Sequence, residues 1–98
     1  MIMVKARTAR WDPAQHLDTP EARAAYLEAA LVDGNPALVA AALGDIARAR
    51  GMSKVASETG LGRESLYKTL SEDGNPELAT LLLIVSALGL QLHASPAL

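Results

Sequence analysis

Met52-Ser53-Lys54-Val55-Ala56-Ser57-Glu58-Thr59-Gly60-Leu61-Gly62-Arg63-Glu64-Ser65-Leu66-Tyr67-Lys68-Thr69-Leu70 is the stretch on which the reading of the chain turns. Ser53 is placed to cap a short helix that ends at Gly60, where a left-handed residue can reverse the chain. A second short helix follows from about Arg63 to Leu70. The small Ala56 suits a close helix crossing, and Val55 and Leu66 are spaced to meet across the corner. Leu61 fills the turn, and Leu70 repeats the apolar position of Leu66 one turn later. This is the spacing of a helix-turn-helix over residues 52–70.

Burying Leu66 and Leu70 leaves Arg63, Glu64, Tyr67 and Lys68 on the opposite face. In a helix-turn-helix the start of the second helix reaches base edges in the major groove of double-stranded DNA. Arg63 suits a bidentate contact to guanine, and Glu64 can accept from cytosine N4. Tyr67 and Lys68 suit thymine methyls or phosphate. Arg48, Arg50, Lys54 and the backbone at Gly62 are expected at the phosphates. The competing reading makes Arg63 and Glu64 a solvated surface pair and Tyr67 a packing residue.

An N-cap residue followed by Pro occurs three times, as Thr19-Pro20, Asn35-Pro36 and Asn75-Pro76. The spacing predicts helices over about Pro20 to Val32, Pro36 to Arg50 and Pro76 to Leu88, closed by Gly34, Gly51 and Gly89. Their apolar stripes run through Leu27, Ala30 and Leu31; through Val39, Leu43, Ile46 and Ala47; and through Leu78, Leu81, Leu82, Val85 and Leu88. Asp33-Gly34-Asn35-Pro36-Ala37-Leu38 returns as Asp73-Gly74-Asn75-Pro76-Glu77-Leu78, which reads as one turn-plus-cap device used twice rather than a solenoid repeat. Alternation in Leu90-Gln91-Leu92-His93-Ala94 and the apolar run Met1-Ile2-Met3-Val4-Lys5 suggest short strands. The chain thus divides into an N-terminal arm (1–18), a helical domain (19–89) and a C-terminal strand or tail (90–98).

With 98 residues, half of them hydrophobic, no Phe and only Trp11, Tyr26 and Tyr67 as aromatics, the core must be aliphatic. That favours packed helices in one domain. No membrane-length apolar run and no signal peptide is evident, so a cytoplasmic protein is expected. The absence of Cys removes disulfides, thiolate metal sites and thiol catalysis. The net charge of −2 is unevenly spread. Residues 1–11 carry Lys5, Arg7 and Arg10 and no acid, and residues 44–70 are also basic in sum. Residues 12–43 set Arg23 against Asp12, Asp18, Glu21, Glu28 and Asp33, and residues 71–98 carry acids alone. Such a split suggests two different partners.

The stretch 52–70 resembles the helix-turn-helix of the lambda repressor and Cro class, and most of the chain, about Arg10 to Leu92, resembles the addiction-module antidote family. The carrying segments are Trp11-Asp12-Pro13-Ala14, Leu17-Asp18-Thr19, Ala25-Tyr26-Leu27-Glu28-Ala29-Ala30-Leu31 and Ala41-Ala42-Leu43-Gly44-Asp45-Ile46-Ala47-Arg48-Ala49-Arg50-Gly51-Met52. Glu58-Thr59-Gly60-Leu61, Arg63-Glu64-Ser65-Leu66-Tyr67-Lys68, Gly74-Asn75-Pro76 and Ala87-Leu88-Gly89-Leu90 continue it. The resemblance implies an all-α, five-helix lambda-repressor-like domain with short terminal extensions. It also implies a homodimeric antitoxin that neutralises a RelE/ParE-type toxin and represses its own operon at a DNA operator. Gly62 departs from the Ser that commonly caps the recognition helix, and Thr69 from a branched aliphatic.

Trp11 and Leu17 are the candidate toxin contacts, with a Trp11 folded onto the helical core as the alternative. His16 and His93 have no triad or metal spacing near them, and Gly60-Leu61-Gly62 lacks the rest of a phosphate loop, so no catalysis, cofactor or metal is expected. Two rival readings stand beside the antitoxin: a solitary transcriptional regulator, and a protein-binding antidote that does not bind DNA.

Overall fold

A computed structural model of the chain describes residues 12–71 and 73–97. The protein is all-α, with a short 3-10 turn at Pro13–His16 followed by α1 (Pro20–Asp33), α2 (Pro36–Arg50), α3 (Met52–Thr59), α4 (Arg63–Thr69) and α5 (Leu78–Ala87).

The first two helices begin as Thr-Pro and Asn-Pro dictate. The Thr19 hydroxyl accepts from the Ala22 amide and the Asn35 side chain accepts from the Ala37 amide, with Pro at the first helical position in both. Gly34 closes α1 at φ 83°, a left-handed conformation that a side chain would strain. Leu27 and Ala30 are buried from α1, whereas Leu31, expected on the same stripe, is exposed.

Two of the expected starts fall elsewhere. Ser53 does not cap α3: the helix begins at Met52, two residues before the Lys54 at which a Ser53 cap would start it, with Gly51 as its N-cap and no side-chain bond. Met52 is buried, so the core draws it into the helix. Gly51 closes α2 by donating to Ala47 and Arg48, and its own carbonyl accepts from Val55, so one glycine joins two helices without a linker. Asn75-Pro76 does not open α5 either; that helix starts at Leu78 with Glu77 as its N-cap. Gly74 sits so close to α4 that a Cβ there would lie 1.9 Å from the Thr69 carbonyl oxygen. That tight turn places Asn75 and Pro76 in the connection to α5. The repeated Asp-Gly-Asn-Pro therefore does not serve one turn-plus-cap device twice.

No strand occurs among the described residues; 90–97 are irregular, with Leu90 and Leu92 packed on the core. The run Met1 to Lys5 lies outside the described residues.

The core gathers Leu17, Leu27, Leu43, Ile46, Ala47, Met52, Val55, Leu66, Leu70, Ile84, Val85 and Leu88. Val55 and Leu66 are fully buried together in it, with Ala56 and Leu61 packed around them. Within the packed helices a second close approach is at Gly44, where a Cβ would stand 2.4 Å from the Leu70 carbonyl oxygen, so α2 presses on the end of α4. Gly44→Ala should therefore destabilise the fold by roughly 1–3 kcal/mol. Gly62→Ala, with nothing within 4 Å of the new carbon, should change stability by well under ~1 kcal/mol. Thermal melts of the two variants should separate by several degrees.

Candidate nucleic-acid interface

α3 and α4 are joined by Gly60, Leu61 and Gly62. Gly60 ends α3 at φ 76° and donates to the Ala56 carbonyl, while the Thr59 hydroxyl bonds back to Val55 and accepts from the Leu61 amide. These contacts hold the turn without a long loop. Gly62 begins α4 in an extended conformation with no side-chain cap, and Thr69 is half-buried at its end.

Because Leu66 is fully buried and Leu70 nearly so, the rest of α4 is turned outward. Arg63, Glu64, Ser65, Tyr67 and Lys68 are all exposed. Arg63 and Tyr67, one turn apart, interact: a guanidinium nitrogen donates to the tyrosine hydroxyl at 3.3 Å, and the guanidinium carbon stands 5.7 Å from the ring centroid. At an exposed site such a cation–π contact contributes about 0.5–1 kcal/mol, enough to orient the guanidinium and small enough to be exchanged for another partner. Lys54 is exposed on α3, and neither it nor Lys68 is in an ion pair among the described residues. Ser65 shares the outward face and was not anticipated; its polar side chain next to Arg63 and Glu64 is the signal that could have included it.

Arg48 and Arg50 are held differently. The Arg48 guanidinium bonds both Asp45 and Asp12, the latter at 3.1 Å. The Tyr26 hydroxyl donates to the other oxygen of Asp45, so α1, α2 and the segment before α1 meet in one polar cluster. The bond from the Ala14 amide, then the one from Arg48, holds the Asp12 carboxyl below the usual carboxylate range. Asp45 raises the Arg48 pKa further. Burial, then the bond to Asp45, pushes the Tyr26 hydroxyl up to about 12. Arg50 donates to the Ala87 carbonyl at 3.2 Å and pairs with Glu58 at 3.7 Å, tying the end of α2 to α3 and α5. Both arginines thus brace helices. Asp45 stands three residues from Arg48 on the same helix, but Asp12 and Ala87 lie 36 and 37 residues from their arginines, where no local spacing could reveal them.

Leu17 is 4% exposed and belongs to the core, which leaves it little surface to offer a partner. Trp11 lies outside the described residues. Arg23, the base on α1, donates to the Leu17 carbonyl, while Glu21, Glu28 and Asp33 are exposed along the same helix.

A family model described as "Probable addiction module antidote protein" matches residues 7–96. The chain belongs to the addiction-module antidote family. It is also similar to an uncharacterized protein of Haemophilus influenzae strain Rd, 48% identical over 81 residues that cover 83% of this chain and 84% of the relative. No solved structure matches the chain. Membership makes this a regulatory kind of protein, with a toxin as its general class of partner. No described helix is long and apolar enough to cross a membrane.

The polar cluster behind the antidote's α2 makes its stability sensitive to alkali. Tyr26 holds its proton more tightly when folded, so its contribution is complete below the ordinary tyrosine pKa near 10 and is lost as pH rises toward 12. Melting temperature should fall over that window in the native chain, and Tyr26→Phe should lack this component of the fall.

Proposed function

We propose that this antidote is the antitoxin of a type II toxin–antitoxin pair. It binds and neutralises a RelE/ParE-type toxin in the cytoplasm, and as a homodimer it represses its own operon through α3 and α4. In this reading the pair is a helix-turn-helix of the lambda repressor and Cro class, and α4 is the recognition helix. Arg63, Glu64, Tyr67 and Lys68 read bases, while Lys54 and the backbone at Gly62 meet phosphates.

The observation that carries the DNA-binding half is the outward set on α4. Burial of Leu66 and Leu70 presents a pre-oriented Arg63 and a Lys68 that is in no ion pair among the described residues, on a helix only seven residues long, with Lys54 exposed on the helix before it. The acidic surface of α1, with Glu21, Glu28 and Asp33 exposed, supports a basic protein as the other partner.

A second reading, an antidote that binds protein alone, draws on Arg48 and Arg50. Both are engaged internally, which leaves Lys54, Arg63 and Lys68 as the cations of residues 44–70 outside ion pairs among the described residues. That is a modest electrostatic footprint for a duplex.

Retardation of a fragment carrying the protein's own promoter separates the two. The native chain should retard it, and Arg63→Ala should weaken binding by ~1–3 kcal/mol, roughly 5- to 150-fold, with relaxed preference at one base position. An unchanged affinity and preference would remove α4 from the interface. No retardation by the native chain would favour the protein-only antidote.

A further inference from the structure

We infer that Arg48 is a phosphodiester-binding residue at the edge of the α3–α4 surface, and that Asp12 occupies the phosphate's place on it until DNA arrives. The two arginines that brace α2 are not held alike. The Arg50 side chain is 25% exposed, donates to the Ala87 carbonyl and has its Nε buried. The Arg48 side chain is 39% exposed and that of Asp12 38%, so water reaches both members of their pair. Solvated pairs of this kind hold weakly, and either member can exchange partners.

Position makes the exchange matter. Arg48 and Tyr67 line one recess of about 220 Å³, with Met52, Leu70 and Ser71 also at its walls. The guanidinium thus stands beside α4, next to a residue of its outward face. A duplex laid along that face brings a dense row of phosphates past the edge of the helix, one charge per about 1.7 Å of its axis.

Charge separates Asp12 from Asp45. Asp45 stands three residues from Arg48 on the same helix, is 19% exposed, and its other oxygen accepts from the Tyr26 hydroxyl. Asp12 comes from the segment before α1 and is a second carboxylate for one guanidinium. The cluster therefore carries one negative charge in excess, which repels a phosphate. Asp12 offers the guanidinium the same kind of anionic oxygen that a phosphodiester would, and its planar fork of donors accepts either. When the phosphate takes Arg48, the carboxylate set free takes up a counterion, so the native chain gains little net charge neutralisation from the contact. Opening the pair leaves the segment in place, because Leu17 is buried and Arg23 holds its carbonyl.

This inference rests on α3 and α4 binding DNA, and its test separates its own failure from failure of that reading. Retardation by the full chain is followed between about 50 and 200 mM salt, on its own promoter fragment and on a scrambled duplex of equal length. Asp12→Asn removes the charge and keeps an oxygen for the Ala14 amide. It should tighten binding to both duplexes about 3- to 10-fold at the lower salt and steepen the log–log salt slope by about 0.9, as one more net phosphate contact does. Adding Arg48→Gln to Asp12→Asn should return the slope to its native value. Asp18→Asn, at an exposed carboxylate of the same segment that pairs with no base among the described residues, should leave the slope unchanged. Should Asp12→Asn lose its helical circular dichroism, Asp12→Ser, whose hydroxyl can accept from the Ala14 amide, makes the same test. A merely structural Asp12 would change the melting temperature and not the slope. A native chain that binds while Asp12→Asn binds identically overturns the inference and leaves the DNA reading standing. So does a gain that survives Arg48→Gln, or an equal gain from Asp18→Asn. Retardation by Asp12→Asn but not by the native chain upholds it; no retardation by any of the chains removes it together with the DNA reading.

Discussion

The carbonyl of Leu70 lies against the backbone of Gly44, so close that even a methyl group between them would have to displace one helix. Through that contact α2 holds the end of α4, and full burial of Leu66 fixes the rotation of α4 about its axis. Once those two conditions are met, the outward placement of Arg63, Tyr67 and Lys68 follows without further instruction. Packing density makes this a stringent constraint, since a well-filled aliphatic core tolerates little displacement. The candidate interface is thus set from behind by residues that never reach the surface.

Local chemistry was legible wherever the chain acts alone. Thr19-Pro20 and Asn35-Pro36 open helices because the capping oxygen and the preset proline φ need no distant partner. The second Asp-Gly-Asn-Pro has the same local chemistry and a different outcome. Gly34 is left-handed and ends a helix, whereas Gly74 does not take a positive φ and its backbone presses on Thr69. The difference lies in what the surrounding helices demand, which a hexapeptide does not record. Gly51 makes the same point in the other direction: the burial of Met52 overrides the capping preference of Ser53.

Of the candidate site, the outward set on α4 could be read from spacing because helix periodicity decides it. The fate of the cations could not. Apart from the three-residue spacing of Asp45 and Arg48, nothing local sets Arg48 and Arg50 apart from Lys54, yet Asp12 and Asp45 engage one and Ala87 and Glu58 the other. Such pairs contribute little when solvated, about 0–1 kcal/mol each, but they consume the charge that would otherwise face a phosphate. The protein that results has a cation-bearing α3–α4 surface, an acidic α1 and an uncharged α5.

Whether α4 reads DNA is decided by titrating the isotopically labelled chain with a duplex of its own promoter and following backbone amide resonances. If α4 is the DNA-reading element, shifts should concentrate at Lys54 and at Gly62 through Lys68, with the amides of α1 from Glu21 to Asp33 unmoved. Shifts confined to α1, or none at duplex excess, would contradict it.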